Sequence, residues 1–431
     1  MTLSLSYTPP DLQEPRPGQV RRRHVFFIHG YDPEARSRYR MLFVRELSRY
    51  ARRFGEPARR ISRAEMSSDG LVQSWDVAAL PEVEGAETRY EVLLWDDIVA
   101  RDFARWRVVS VALLLVGILH WIATGLLVRF YRLNWKMGNV IVYPFCLALI
   151  LGLAVGLIAH LVHAHLGDAF AHSLGLPVWI SAPIGIVAGL AALRAAEKPL
   201  VRAYFWQLLN DWVFNWQHGN GWRSDFEQRV EGMADTILAA LKTRSMQGVE
   251  ADEVMIVGHS SGAQTAVEVT ARILARDGNL GSGGSSLALV TLGSGIPLVA
   301  FQARAHGLRR EIAEIVTSRR LVWTEFQAPQ DWMNFPGFNP VRHLALDLHG
   351  RRITNPLLRS ARFRDLINPE TYLKVRRKPF RMHFQFLIAN DRRGDYDFFA
   401  MILGPQRLRE RVLAPVVPGA RSAGAVSATA E

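Results

Sequence analysis

Short apolar runs alternate with amphipathic stretches along most of the chain, and one long apolar region interrupts this pattern. The short runs predict buried strands at 24–28, 90–95, 254–257, 287–294 with its turn, and 321–326. Apolar residues at helical spacing predict helices at 39–54, 226–241 and in the stretch that follows 262. Residues 55–80 and 333–380 are polar or basic and have no such period, so we expect irregular structure there.

The long apolar region contains three segments, 108–128, 140–162 and 174–193. Each has about 20 residues, which is the length that a bilayer core requires. Soluble helices rarely lack a polar face over such a length, so we interpret the region as a membrane insertion rather than as three buried helices of a soluble core. Aromatic residues follow the third segment, and we expect them at the lipid–water interface: Tyr204, Trp206, Trp212, Trp216 and Trp222.

These patterns predict one globular domain that is divided by the insertion. An extended N-terminal arm, 1–23, precedes the first part, 24–100, and the inserted membrane helices occupy 101–205. The second part is 206–410, in which 333–380 is a candidate lid. The Ala-, Ser-, Pro- and Gly-rich tail, 411–431, is expected to be disordered.

The candidate chemistry begins at a Gly-x-Ser-x-Gly motif formed by Gly258, Ser260 and Gly262. The motif follows a predicted strand and precedes a predicted helix, which is the context of a nucleophile elbow. Small residues are needed at both glycine positions because the turn is too tight for side chains. Such a turn exposes the Ser260 hydroxyl and directs the N–H groups at the start of the helix towards it.

A serine nucleophile needs a histidine base and an acid that orients this base. Downstream of Ser260, Asp331 follows a strand across a short loop, and His383 lies near the final elements with aromatic neighbours. Asp347 is the competing acid, and His343 and His349 are the competing bases. The strand at 24–28 ends in His-Gly, so we expect the backbone N–H groups of Tyr31 and Ser261 to form an oxyanion hole.

Together, residues 24–31, 254–267, 287–297, 321–332 and 383 resemble an α/β-hydrolase, in the style of class 3-type lipases and serine esterases. The resemblance implies a mostly parallel sheet flanked by helices, into which this chain inserts an α-helical membrane hairpin. It also implies hydrolysis of lipid-like acyl esters through Ser260, Asp331 and His383. It does not extend over 98–220 or 335–380.

Charge narrows the range of partners. The formal net charge is +12, and nearly all the cations are arginines. A basic surface suits anionic lipid, and no nucleic-acid recognition motif accompanies it. The arginine bias is typical of GC-rich bacterial genomes. The chain has one cysteine, Cys146, so an intramolecular disulfide is excluded, and the first 23 residues lack the apolar core of a signal peptide.

No cofactor and no metal are expected. A cluster of polar residues lies between the second and third apolar segments, and we interpret these histidines as interfacial rather than as metal ligands. The cluster consists of His160, His163, His165, Asp168 and His172.

Membrane topology is constrained because strands 24–28 and 254–257 should share one sheet and therefore one side of the membrane. An odd number of spans between them is excluded, so three segments cannot all cross. Lysine and arginine lie before the first segment, between the first and second, and after the third, but not between the second and third. The positive-inside rule then makes the second and third segments the hairpin, with the first segment re-entrant or buried against it. A hairpin of the first two segments is the alternative.

The sequence therefore predicts a multi-pass protein of a bacterial inner membrane whose catalytic domain, a serine hydrolase, faces the cytoplasm. The expected partners are membrane lipid and an acyl-ester substrate. The alternative is a membrane scaffold or regulatory protein that keeps the hydrolase fold without turnover.

Overall fold

A computed structural model describes residues 6–9, 19–79, 85–173, 175 and 177–414. These residues form an α/β structure around one eight-stranded sheet with the order β2-β3-β4-β1-β5-β6-β7-β8. The six strands from β4 to β8 in this order are parallel, whereas β2 and β3 form an antiparallel edge. The strands are β1 Arg22–Ile28, β2 Glu65–Met66, β3 Val72–Val77, β4 Glu87–Leu93, β5 Glu253–His259, β6 Ser286–Leu292, β7 Leu321–Gln327 and β8 Leu357–Ser360.

Helices cover both faces of this sheet. Alternate residues of β1 enter the two hydrophobic cores, with Phe26 and Ile28 on one face and Val25 and Phe27 on the other. The helices are α1 Ala35–Phe54, α2 Asp96–Ala104, α3 Arg107–Ala123, α4 Leu126–Leu133, α5 Trp135–Ser173, α6 Ser181–Ala195, α7 Glu197–Arg202, α8 Phe205–Gly219, α9 Ser224–Met246, α10 Ser261–Arg276, α11 Ile296–Ala300, α12 His306–Thr317, α13 Pro340–His343, α14 Phe363–Leu366, α15 Pro369–Val375, α16 Pro379–His383, α17 Phe398–Leu403 and α18 Leu408–Leu413, with 3₁₀ turns at Val178–Ile180 and Phe384–Leu387.

The chain changes direction across the sheet between β1 and β5. After β1 the chain builds β2, β3 and β4 on one side, and after the insertion it builds β5 to β8 on the other side. In open α/β sheets, ligands bind at the carboxyl ends of the strands where the strand order reverses. Ile28, the last residue of β1, is paired with Gly258 of β5, and β5 ends one residue later at His259. The fold therefore brings residues 29–32 next to the turn at Ser260.

Three strands lie in regions that the sequence predicts to be irregular. β2 and β3 lie within 55–80, and β8 lies within the candidate lid, 333–380. Phe338 and Phe363 of the candidate lid are also buried, so much of this segment belongs to the core rather than to a cover. These edge strands are short or mix polar with apolar residues, and the apolar-run criterion misses them.

Two helices of the insertion are long and apolar enough to cross a membrane: α5, and the stretch Val178–Ala195, which includes α6. They pack closely through small residues, because a Cβ at Gly185 or Gly189 would overlap the backbone of Ala159 or Val155 on α5. Their outer faces are exposed, as at Leu153. The bent pair of α2 and α3, with an angle of 104°, is a third candidate by length and composition.

The first apolar segment, 108–128, differs from the other two. It breaks at Gly125, which has a φ of 71°. Leu114, Ile118 and Trp121 on α3 are buried in the core that includes α8. The segment therefore packs on the aromatic helix α8 as well as on the hairpin.

The interfacial location expected for the aromatic run is wrong for three of its residues. Trp206, Trp212 and Trp216 lie on α8 and are at most 6% exposed. Only Tyr204 and Trp222 are exposed. Composition cannot separate an aromatic belt from an aromatic core, because both need large, partly polar rings.

The ends of the chain are described in part. In the N-terminal arm, Tyr7 pairs with Leu358 of β8 through two backbone hydrogen bonds of 3.1 and 2.9 Å. Residues 411–413 of the predicted tail belong to α18. Residues 1–5, 10–18 and 415–431 lie outside the described residues, so the extended arm and the disordered tail stay predictions there.

Candidate active site

Ser260 occupies a tight turn between β5 and α10. Its φ of 59° and ψ of −127° are unusual for a residue with a side chain, and such strain is typical of functional sites. The Ser260 N–H donates to the Leu292 carbonyl oxygen at 3.0 Å, which ties the turn to β6. A Cβ at Gly258 would lie 2.6 Å from Ala263 Cα, and one at Gly262 would overlap the carbonyl oxygens of Ile28 and His29. The turn therefore needs glycine at both positions.

Asp331 and His383 form a buried pair. His383 Nδ1 lies 2.7 Å from Asp331 Oδ2, and this carboxylate also accepts from the Asn334 side chain at 2.8 Å and from the Met333 N–H at 2.9 Å. The donors to Asp331 fix the carboxylate, so His383 presents Nδ1–H to it and leaves Nε2 as the basic nitrogen. His383 Nε2 is buried and has no hydrogen-bond partner among the described residues.

The competing residues are placed elsewhere. The Asp347 side chain is 75% exposed and contacts His349, whose side chain is 69% exposed. His343 Nδ1 accepts from the Asn339 N–H at 3.0 Å, and its ring stacks on Phe338. The structure thus brings together the acid and the base that the sequence favours and separates the alternatives from them.

Ser260 and His383 line the same cavity of about 930 Å³. Their side chains form no hydrogen bond with each other in the described structure, and the hydrogen bonds of catalytic groups often tighten only when a substrate is bound. The cavity wall also includes Gly30, Tyr31 and Asp211. An acyl group of moderate size could therefore reach the hydroxyl and the imidazole from one space.

The Gly30–Tyr31 peptide lies directly against Ser260, since a Cβ on Gly30 would be 3.0 Å from Ser260 Cβ. His29 Nδ1 lies 2.7 Å from the Gly30 carbonyl oxygen, and His29 Nε2 accepts the Trp95 N–H at 3.2 Å. Burial lowers the pKa of His29 to about 3, so the ring is neutral and Nδ1 carries the proton. In a trans peptide the C=O and the following N–H point in opposite directions, so His29 also orients the Tyr31 N–H.

Tyr31 is anchored by the two helices that flank the insertion. Its hydroxyl donates to Asp102 of α2 at 2.9 Å, and its carbonyl oxygen accepts from Gln207 of α8. Arg223 binds the same Asp102 carboxylate at 2.8 Å. The predicted oxyanion loop is therefore held by the helices at both ends of the inserted helical region.

Two buried residues near the site are missed by the sequence analysis. Asp211 on α8 accepts from the Ser261 hydroxyl at 3.0 Å and from the Asn215 amide at 2.8 Å. Burial raises the pKa of Asp211 to about 7. His259 lies beside His383, with ring centroids 4.6 Å apart, and burial lowers the pKa of His259 well below its usual range. Asp211 could have been noticed in the sequence, because Asn210, Asp211 and Asn215 are polar residues within an otherwise aromatic helix.

The polar cluster of the insertion lies on the end of α5. His163 Nδ1 and Ser181 Oγ are 2.6 Å apart, so this histidine joins the two hairpin helices. Within the described ranges, no three histidine, cysteine or carboxylate side chains converge in a way that could hold a metal ion.

Comparison of the chain with protein-family models, with curated proteins and with solved structures gives no match.

Proposed function

We propose that this chain is a membrane-anchored serine hydrolase of the α/β-hydrolase type that cleaves acyl esters. One observation carries the proposal: in the described residues, Asp331 binds His383 Nδ1, and His383 Nε2 has no other partner while its ring lines the same cavity as Ser260. A neutral imidazole in the same cavity as a serine hydroxyl can accept its proton when a substrate brings the two together.

In the proposed reaction, Ser260 Oγ attacks the acyl carbonyl carbon while His383 Nε2 accepts the hydroxyl proton. The oxyanion is bound by the N–H groups of Ser261 and Tyr31. His383 then returns the proton to the departing alcohol, and an acyl-enzyme remains on Ser260. Water, activated by the same imidazole, releases the acid. Asp331 holds the Nδ1–H and stabilises the imidazolium.

The membrane anchor is supported by the position of the cavity. Arg107 at the start of α3, Val201 on α7 and Tyr204 before α8 line the same cavity as Ser260. These residues flank the hairpin, so a substrate dissolved in a bilayer would reach the cavity along the surface of the insertion. We propose a bacterial inner membrane, with the catalytic domain on the cytoplasmic side.

A fluorophosphonate probe on membranes that contain the full chain tests the proposal. The wild type should be labelled, and Ser260→Ala should not be. Ser282→Ala, in the loop before β6, is a control that should label like the wild type. A folded wild type that resists labelling would favour the alternative, a scaffold that keeps the architecture without turnover.

A further inference from the structure

One wall of the cavity has an excess of positive charge. Arg45, Glu46 and Arg49 on α1 and Arg381 on α16 all line the cavity. Glu46 is fully buried and binds Arg45 at 2.9 Å and Arg49 at 3.0 Å. Its carboxylate also accepts the Ala389 N–H at 3.3 Å. Glu46 is thus already engaged by two guanidinium groups.

Arg381 is the least compensated member of this group. Its side chain is half-buried and donates to Gln385 at 3.1 Å, but it forms no ion pair with a carboxylate in the part of the chain that the structure describes. Burial lowers the pKa of Arg381, the nearby Glu46 carboxylate opposes this shift, and Arg49 and Arg45 add to it. Arginine stays protonated in proteins, so this cation lies beside two others and shares the Glu46 carboxylate with them.

The other arginines of the cavity wall are paired with carboxylates, and the remaining acids of the lining are Glu34, which also binds Arg38, and Asp211, whose pKa burial raises to about 7. Arg38 pairs with Asp32 at 2.7 Å, and Arg107 pairs with Glu197 at 3.1 Å. The excess is therefore confined to the wall formed by α1 and α16. This wall adjoins apolar lining residues, including Phe380, which stacks on Tyr204 with ring centroids 3.7 Å apart.

We propose that Arg45, Arg49 and Arg381 form an anion subsite for a phosphate group on the alcohol part of the ester substrate. Guanidinium groups bind phosphate oxygens through paired, charge-assisted hydrogen bonds. Arg381 and His383 line the same cavity, so a phosphate bound at Arg381 would hold the ester in the space that contains the base. This inference rests on the proposed function and narrows its substrate class to phosphate-bearing acyl esters.

Two esters with the same acyl chain test the subsite in detergent micelles: 1-oleoylglycerol and 1-oleoylglycerol 3-phosphate. We expect the full-length wild type to prefer the phosphate ester at least about 10-fold in kcat/KM, mainly through KM. Arg381→Gln and Arg45→Gln should each reduce this ratio towards one. Arg377→Gln is the matched control, since Arg377 is exposed, lies outside the cavity lining and should keep the ratio. Equal use of both esters by the wild type would overturn the proposal.

Binding separates this inference from the proposed function. Ser260→Ala should bind 1-oleoylglycerol 3-phosphate more tightly than 1-oleoylglycerol in calorimetry, and the added Arg381→Gln should remove the difference. Inorganic phosphate should compete, which distinguishes recognition of the phosphate from a general affinity for lipid. Selective binding without fluorophosphonate labelling of the wild type would refute the proposed hydrolase activity and support the phosphate subsite. Labelling without selective binding would support the hydrolase activity and refute the phosphate subsite.

Discussion

Burial separates the two candidate acids at the level of single residues. Asp331 is fully buried and bound by three donors, whereas Asp347 lies in solvent. A buried carboxylate can fix the tautomer of His383 and balance the charge that develops on the ring, and a solvated one contributes little.

We expect Asp331→Asn to lower turnover by about 10⁴-fold while the fold persists, because the amide would favour the wrong tautomer of His383. Asp347→Asn is the control and should change turnover less than twofold. Ester hydrolysis and circular dichroism on both variants would check this. Equal losses in the two variants would remove Asp331 from the acid role.

A second residue-scale prediction concerns Asp211, whose pKa burial raises to about 7. A carboxyl with a raised pKa in the folded state stabilises the protein fully below its unfolded pKa, near 4, and this contribution is lost as pH rises through about 7. Asp211→Asn mimics the neutral form. The variant should gain stability relative to the wild type between pH 5 and pH 8, on the order of 2–4 kcal/mol.

Denaturant unfolding at several pH values would measure this difference. The variant should keep some pH dependence, because burial also raises the pKa of Glu325 to about 7. A constant difference between variant and wild type across the range would show that Asp211 is charged throughout.

The residues of the proposed triad could be chosen from the sequence. Ser260 and Asp331 each follow a predicted strand, and His383 comes last in the chain order and has aromatic neighbours. Asp211 could not be chosen this way. Its role depends on α8 lying against the start of α10, and this contact joins residues 50 positions apart across the turn at Ser260. The polar residues of α8 mark Asp211 as unusual in the sequence, but they do not show which distant residue it contacts.

At the scale of elements, the central strands could be predicted and the edges could not. β5 is buried at every position and reads as an apolar run. β3 pairs on its two sides with short or polar partners and contains Gln73, Ser74 and Asp76. β8 has only four residues. Their pairing is decided by tertiary contacts rather than by their own periodicity.

The junction of β5, α10 and β1 should tolerate no added side chain. In Gly262→Ala, the new methyl group would overlap the backbone carbonyls of Ile28 and His29, which cannot move without disturbing β1. We expect a loss of about 1–3 kcal/mol or a failure to fold. Gly232→Ala on α9, where a Cβ meets nothing within 4 Å, should instead stabilise by about 0.5–1 kcal/mol. Thermal unfolding of both variants would measure the expected loss of stability in Gly262→Ala and the expected gain in Gly232→Ala.

At the scale of the whole molecule, the sheet restricts the path that the chain can take through a membrane under the proposed function. β1 and β5 are adjacent parallel strands, so the insertion between them must return to the side on which it began. Arg129 of α4 donates to the His343 carbonyl, and the ring of Trp135 packs on that of Trp332. The turn between α4 and α5 therefore lies against the domain that carries the candidate site.

Periplasm-sensitive reporters test this arrangement at three places. We expect Asn134 and the C-terminus to be cytoplasmic and Gly167 to be external. An external Asn134 with a cytoplasmic Gly167 would make the first two apolar segments the hairpin. If Met1 and the C-terminus lie on opposite sides, the number of spans is odd and β1 cannot pair with β5.

The turn that begins α5 also contacts the loop of the candidate acid, Asp331. Asn134 donates to the Asn334 carbonyl at 2.8 Å, and Lys136 donates to the Pro329 carbonyl at 2.9 Å, on either side of Asp331. The hairpin can be removed without breaking this attachment. The Tyr143 hydroxyl donates to the Ala203 carbonyl at 3.1 Å, so the two ends of the hairpin lie close together where it leaves the domain. A shortened chain with a Gly-Ser linker in place of 144–199 should be water-soluble and keep fluorophosphonate labelling. A shortened chain that begins its deletion at 134 should lose labelling, because the hydrogen bonds of Asn134 and Lys136 to the loop of Asp331 would be absent.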